Sequence, residues 1–530
     1  MEVGVFGGGM AEGEHDGRLI AAFDIGSTAA KGTLIERERG IVAERSAGYP
    51  THYGPDGHIE QDPEDWWRAV IELAMGFWRE GWDAGRVGAI ALTGQMQDLI
   101  LLDHALRPLG PAILYGDARA GSQGERIRAE LAARGVPVDE TRYLDATSPL
   151  AKLLWLREHR PESLARCAHT LFGAKNYILA RLARVVAEDA TTAATTGFYD
   201  QHEHRWNADW LPPFGLSPAW LPPLPPQTSA AGLIGAEAAA LTGFSAGTPV
   251  YPGMGDAAAA TLSAGLVAPG DTYLYLGTTG WAATLKRAPG PELHGLRHLP
   301  AALGNLTIAI APLLNAGSAL DWAIALLGLG GSGATRGAPM GYAIFERLLL
   351  DTSGRSEGAI FLPYLNGERC PVQDARPQGT FLHLGARIGP GQIAWAVLEG
   401  ICFALREVLE TLGGARGSLR VLGGMASGAS LLRLLADICG VPVRAPQLPG
   451  AAGTLAAAIP VALGQGWFAR PQEAVAHWFS ASGIREAAAD PSPHWVNHYD
   501  AGYRRYRRIY PAIAGLADDL PTAASGREDA

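Results

Sequence analysis

The sequence is short of cysteine. Four thiols, Cys167, Cys370, Cys402 and Cys439, are scattered along 530 residues without close pairing. That spacing excludes a disulfide framework and the paired thiols of a zinc site. Cys402 and Cys439 lie in apolar, helix-like stretches, as buried thiols of a reducing compartment do. Positive charge is not in excess either. The formal net charge is −10, so no broad basic surface exists for nucleic acid. No unbroken apolar run of about 18 residues occurs, so no membrane-spanning helix is expected. The opening MEVGVFGGGMAEGEHDGR lacks a basic start and an apolar core, which excludes a signal peptide; it reads as a disordered leader over residues 1–17. These absences describe a cytoplasmic protein with neither nucleic acid nor membrane as partner.

What is present is an α/β chain too long for one hydrophobic core, so two domains are expected. The stretch Leu19 to Ile35 organises the first. An apolar run ends in Asp24-Ile25-Gly26-Ser27-Thr28, and the chain returns to apolar residues after Lys31, which reads as a β-hairpin. Its tip suits a nucleotide phosphate. Gly26 admits close backbone approach, Ser27 and Thr28 supply donors, and Asp24 is a carboxylate placed for a metal. Gly-Ser-Thr turns are common, so the motif alone is weak. Its echo gives it weight: Tyr273 to Leu285 repeats the pattern around Gly277-Thr278-Thr279-Gly280, about half a chain length away. One phosphate-gripping hairpin in each half is the signature of a duplicated ATPase domain with nucleotide in the cleft between copies.

Other segments carry the acceptor chemistry. Asp62 and Pro63 are N-cap and first-turn residues of a helix in which Trp66, Val70, Met75 and Trp78 recur at roughly helical spacing. Val87 to Leu92 and Leu99 to Leu102 read as strands around Thr93-Gly94-Gln95-Met96-Gln97-Asp98. Pro111 to Tyr115 reads as a short strand opening into Gly116-Asp117-Ala118-Arg119. Polar groups at the carboxyl ends of strands bind ligands in α/β proteins, so Gln95, Gln97, Asp117 and Arg119 are expected to meet a hydroxyl-rich substrate. The alternative is that Asp117 caps the next helix and Arg119 pairs at the surface. Pro252 to Asp256 is a glycine turn ending in one carboxylate, followed by the small residues of Ala257 to Ala260. Asp256 is either an N-cap or a carboxylate presented to a cleft, able to take a proton from a hydroxyl. Its place just before the second hairpin favours the cleft. Leu419 to Leu422 reads as a strand and Ser430 to Cys439 as a helix, joined through Gly423-Gly424. That turn is either a plain tight connection or a seat for a flat adenine ring.

These blocks together resemble the FGGY family of carbohydrate kinases. The resemblance runs from about Leu19 to about Tyr510 and is carried by Asp24-Ile25-Gly26-Ser27-Thr28, Glu60-Gln61-Asp62-Pro63, Gly94-Gln95-Met96, the Ser148-to-Trp155 segment, Gly255-Asp256, Gly277-Thr278-Thr279-Gly280, Phe361-Leu362-Pro363-Tyr364, Leu398-Glu399-Gly400 and Gly423-Gly424. It implies two actin-like (ribonuclease H-like) ATPase domains with an interdomain cleft: an N-terminal domain over 18–260, a C-terminal one over 261–515 and a flexible tail over 516–530. By this resemblance Asp256 is the catalytic base and Asp24 helps hold Mg2+, with Asp256 beside it. Lys31 lies near the transferred phosphate. Gly26, Ser27, Thr28, Gly277, Thr278 and Thr279 form the phosphate loops, and Gly423, Gly424 and Met425 the adenosine turn. Gln95, Met96, Gln97, Asp117, Arg119 and Asp256 face the sugar.

The blocks look most like those of xylulokinases, with departures. Gln97 and Asp98 stand where His-Gly is usual, Tyr115 and Gly116 where Trp-Asn is usual, Ala118 where Gly is usual, and Ala257 where Asn is usual. His383 stands where the family's second signature has Gly. The resemblance therefore implies ATP-dependent phosphorylation of a ketose or related polyol, D-xylulose first, by a protein for which a homodimer is allowed. Ribulose, gluconate or a tetritol are the other acceptors. A non-catalytic actin/Hsp70-type nucleotide-binding protein and an inactive sugar sensor are the competing classes.

Overall fold

A computed structural model describes residues 18–518 except 142, 291–294, 330–338, 354, 448–449 and 482–484. The expected leader, and the expected tail from 519 on, lie outside the described residues; residues 514–518 form a 3-10 turn. The elements that position the site are, in chain order, β1 (Leu19–Ile25), β2 (Ala29–Glu36), β3 (Gly40–Gly48), α1 (Pro63–Arg79), β4 (Val87–Gly94), β5 (Met96–Leu102), β6 (Met254–Gly255), α2 (Asp256–Ser263), β7 (Thr272–Leu276), β8 (Gly280–Lys286), α3 (Pro390–Thr411), β9 (Leu419–Leu422), α4 (Ala429–Cys439) and α5 (Ala452–Gly464).

Two seven-stranded sheets repeat one motif. In the first, β1 turns back antiparallel as β2, β2 pairs β3 antiparallel, and β4 returns parallel on the other side of β1. In the second, β7 and β8 form the same hairpin, Thr307–Leu313 takes the place of β3, and β9 that of β4. The fold is the duplicated actin-like architecture that the two hairpins imply. Central strands covered on both faces need continuous apolar runs rather than alternation. β1 meets this, with every residue buried except half-buried Asp24, whereas β3 is only partly buried.

A third sheet of five short strands, including Ile59–Gln61, β5 and His169–Gly173, projects from the first half. The expected strand Pro111–Tyr115 shrinks within it to Ala112–Ile113. Asp62 does cap α1, accepting from Glu64 N at 2.9 Å, and Pro63 opens the helix. The buried face of α1 runs through Trp66, Val70, Leu73 and Phe77; Met75, expected on that face, points to solvent. α3 buries Ala394, Val397, Ile401, Leu405 and Val408 on one face.

One apolar cluster joins the halves. Ile20, Ala22, Ala89 and Ala91 of the first sheet and Tyr273, Ala283 and Leu285 of the second belong to it, with α2 and α5 among them. Their contacts are mostly alanine, which lets two helices and two sheets approach closely. His383 adopts φ +61°, the left-handed conformation in which glycine is at ease. That accounts for the family's preference at this position.

Candidate active site

Strand register brings the two carboxylates together. Asp24 lies opposite Thr93 of β4, and Thr93 lies opposite Met254 on its other side. A single strand thus separates Asp24 from the Gly255–Asp256 turn, about 10 Å across two strand spacings. Asp256 is exposed at its surface, with the protein mass close around it. Burial first, and the facing Asp24 charge second, push Asp256 up to about 7. Burial also raises Asp24, with Lys31 opposing.

The turn before Asp256 is braced from below. Asp189 Oδ1 accepts from Gly255 N at 3.2 Å and from Thr192 N at 3.1 Å. Lys175 holds Asp189 at 2.7 Å and Glu188 at 3.3 Å, all three side chains wholly buried. One ammonium faces two carboxylates, so Asp189 stays ionised while burial pushes Glu188 up to about 7. Met96 packs onto Gly255 so closely that a Cβ there would lie 1.9 Å from its sulfur. A larger residue before the acid would have to push the Met96 side chain aside.

The Gly26–Thr28 turn is tied to the strand that bears Gln61. Ser27 O accepts from Gln61 Nε2 at 2.7 Å, and Gln95 Nε2 donates to Gln61 Oε1 at 3.1 Å. Gln95 Oε1 is buried without a partner. Tyr49 OH donates to Gly26 O, and Thr28 is exposed at the tip. Lys31 Nζ donates to Gly450 O at 2.6 Å, bridging to the loop before α5 rather than standing free. The first turn of α5 faces Asp24, since a Cβ at Gly453 would meet Asp24 Oδ2 at 2.9 Å.

On the acceptor side, Gln97 has φ +64° and donates to Thr147 Oγ1 at 3.0 Å. Asp117 and Arg119 are turned onto each other. Asp117 accepts from Ile59 N at 2.6 Å and from Arg119 Nη2 at 2.6 Å, and Arg119 also pairs with Glu60 at 2.8 Å. The guanidinium lies over the Trp155 ring, 5.0 Å from its centroid. Neither the helix cap nor the surface pair describes them; they are buried braces of the strand that bears Gln61. Arg119 Nη1 remains without a hydrogen-bond partner.

In the second half, Gly277, Thr278, Gly424 and Met425 line one cavity of about 720 Å³ with Asp321 and Tyr342, a size suited to a nucleotide. The carbonyls of Gly277 and Thr278 accept from Gly317 N and Ser318 N at 3.0 and 2.8 Å, which holds the loop rigid. Thr279 O accepts from Gly277 N at 2.9 Å, closing the turn. Gly423 has φ +95°, and a Cβ there would meet Leu276 O at 2.4 Å. Glycine is required for β9 to turn beneath the loop, so Gly423 shapes a cavity that Gly424 lines.

Sequence reasoning missed Lys175, Glu188, Asp189 and Gly453. Their partners lie on other elements, and no local spacing marks them.

Residues 19–263 match the N-terminal domain of the FGGY family of carbohydrate kinases, and residues 272–462 match its C-terminal domain. The chain is 30% identical to the xylulose kinase of Escherichia coli (strain K12) over 80% of this chain and 85% of that one. The xylulose kinase structure from Rhodospirillum rubrum is 26% identical with a TM-score of 0.81, covering 94% of this chain and all of that one. The gluconate kinase structure from Lactobacillus acidophilus is 25% identical with a TM-score of 0.80, covering 95% of this chain and all of that one. Two hairpins around a shared pair of carboxylates, and matches spanning both halves, lead to one conclusion: the chain belongs to the FGGY family of carbohydrate kinases.

Proposed function

We propose that the protein transfers the γ-phosphoryl group of ATP to a primary hydroxyl of a ketose, with D-xylulose as first substrate. The observation that carries this reading is the placement of Asp256 one strand away from Asp24, at the end of a braced glycine turn and open to the cleft. Asp256 accepts the proton of the attacking hydroxyl, and its raised affinity for a proton suits a base. Gly26, Ser27 and Thr28 on one side and Gly277, Thr278 and Thr279 on the other cradle the phosphates, with charge spread over their amides and hydroxyls. The cavity at Gly424 and Met425 takes the adenosine, below the turn made by Gly423. Gln95, Met96 and Gln97 border the acceptor, and Asp117 and Arg119 support them from behind. Residues 18–260 would supply the acceptor side and residues 261–515 the adenosine side, in a cytoplasmic enzyme.

Two facing carboxylates with one nearby lysine fit Mg2+, which is commonly bound by one or two carboxylates together with substrate phosphates. Asp24 would hold it, directly or through water, with Asp256 alongside; the ion supplies positive charge at the phosphoryl oxygens. Relatives named xylulose kinase support the choice of sugar. A scaffold of the actin type needs no acceptor pocket, and the polar ends of the third sheet speak against one.

The test is Asp256→Asn. Acceptor-dependent ADP release should fall by about 10²–10⁴-fold, while a fluorescent ATP analogue binds as before. Near-normal turnover would refute the base assignment. A wild-type protein that binds ATP but releases no ADP with any sugar would favour a sensor.

A further inference from the structure

Two carboxylates stand in the cavity at Gly424 and Met425, and phosphoryl transfer as described leaves them unused. Asp321 comes from the helix Gly317–Leu326 and Glu346 from the helix Pro339–Asp351. Each has one oxygen engaged by the chain itself. Asp321 Oδ1 accepts from Tyr342 OH, and Glu346 Oε1 accepts from Ser430 N at 2.9 Å and Ser430 Oγ at 2.7 Å. Among the described residues, Asp321 Oδ2 and Glu346 Oε2 have no hydrogen-bond partner, and no lysine, arginine or histidine lines the cavity. The rest of the described wall is chiefly apolar, with Phe345, Leu398, Met425 and Leu431 suited to a flat ring.

Carboxylate oxygens only accept hydrogen bonds, so a ligand must bring donors to these two. Their order along the cavity follows from what each helix holds. Asp321 lies about one turn after Gly317, whose N–H is bonded to Gly277 O of the second phosphate loop at 3.0 Å. Glu346 is bonded instead to the first turn of α4, past the Gly424–Met425 turn. A nucleotide with its phosphates at Gly277 and Thr278 therefore meets Asp321 with its ribose and Glu346 with its base. Guanine offers a carboxylate two adjacent donors, N1–H and the 2-amino group, and a grip on both needs two free oxygens. Glu346 has one left, and the O6 of guanine would meet its charge with no cation to offset it. The 6-amino group of adenine is a single donor for a single oxygen. We propose that Asp321 and Glu346 set nucleotide specificity: Asp321 Oδ2 accepts from a ribose hydroxyl, and Glu346 Oε2 accepts from the amine of adenine. The assignment rests on the kinase proposal's placement of the nucleotide in this cavity, and it names the groups that select ATP.

The test measures nucleotide binding to the full chain with Mg2+, by displacement of an ATP analogue labelled at its γ-phosphate, alongside ADP release with a ketose panel. Wild type should bind ATP about tenfold or more tighter than three analogues. These are purine riboside triphosphate, which lacks the amine, inosine triphosphate, and 2′,3′-dideoxy-ATP. Glu346→Gln keeps an acceptor for Ser430 and turns an amide donor to the cavity. It should lose ATP by that factor, gain inosine triphosphate and leave purine riboside triphosphate unchanged. Asp321→Ala should bind ATP and 2′,3′-dideoxy-ATP alike, whereas Tyr342→Phe, which removes the internal bond, should keep the difference. A Glu346 or Asp321 variant that weakens every nucleotide by one factor would be the loss of a structural brace and overturns the assignment. So does a wild type indifferent to the amine and hydroxyls, or one that prefers GTP. The expected binding pattern without ADP release overturns the kinase reading alone, and no binding of any nucleotide overturns both. The wild-type arms need no variant, so they decide the assignment even where a variant fails to fold.

Discussion

Asp256 is held where ionisation is disfavoured but solvent still arrives. A carboxyl group raised to about 7 is protonated below that pH and then is no longer a base for the incoming hydroxyl proton. The sign follows: kcat/KM for the acceptor should fall about tenfold per pH unit below about 7 and level off above it. An acid limb near pH 4, where an ordinary aspartate titrates, would show that neither burial nor Asp24 perturbs the group. At the same scale, close packing bears on Gly255 and Gly423. One faces the Met96 side chain, which a methyl group would push aside, and the other the Leu276 carbonyl, which a methyl group would strike in a left-handed backbone.

The strand His169–Gly173 and the segment Glu188–Asp189 act together through Lys175, which reaches both carboxylates from the first turn of the intervening helix. Removing the ammonium leaves buried charge uncompensated, at a cost of about 3–5 kcal/mol. Lys175→Met should therefore melt well below the wild type and lose turnover as Gly255 loosens. Glu188 titrates within this cluster. Its folded affinity for the proton, about 7, exceeds its value of 4.5 in the unfolded chain. Protonation therefore stabilises the fold, fully below about pH 4.5 and progressively less as pH rises through 7. Glu188→Gln, whatever its absolute melting temperature, should lose fewer degrees between pH 5 and pH 8 than the wild type. An equal loss in both proteins would place the titration elsewhere.

Across the whole molecule, the halves share one alanine-rich interface of α2 and α5, and polar contacts tie them. Thr33 Oγ1 bonds Thr454 Oγ1 at 2.9 Å, Ser263 Oγ donates to Ala452 O at 2.9 Å, and Thr191 Oγ1 donates to Pro300 O at 2.8 Å. In the proposed reaction the two halves close to exclude water, which would otherwise receive the phosphoryl group. Small-angle scattering should record a smaller radius of gyration with a non-hydrolysable ATP analogue and acceptor together than with either alone. An unchanged radius would mean that the cleft is closed before ligands arrive. Among the described residues no helix is long and apolar enough to cross a membrane.

The sequence by itself determined the architecture and the local turns on which the proposed chemistry rests. Apolar runs broken by Gly26-Ser27 and Gly277-Thr278, and a carboxylate after Gly255, are local patterns, and local patterns specify hairpins, turns and strand ends. His383 shows the limit of such reading, because a residue unlike the usual glycine takes the same left-handed backbone. Only the tertiary structure decided which polar groups are free to meet a ligand. Asp117 and Arg119 read as substrate contacts until packing turned them onto each other. Availability depends on neighbours from distant parts of the chain, and burial sets how strongly each remaining charge is felt.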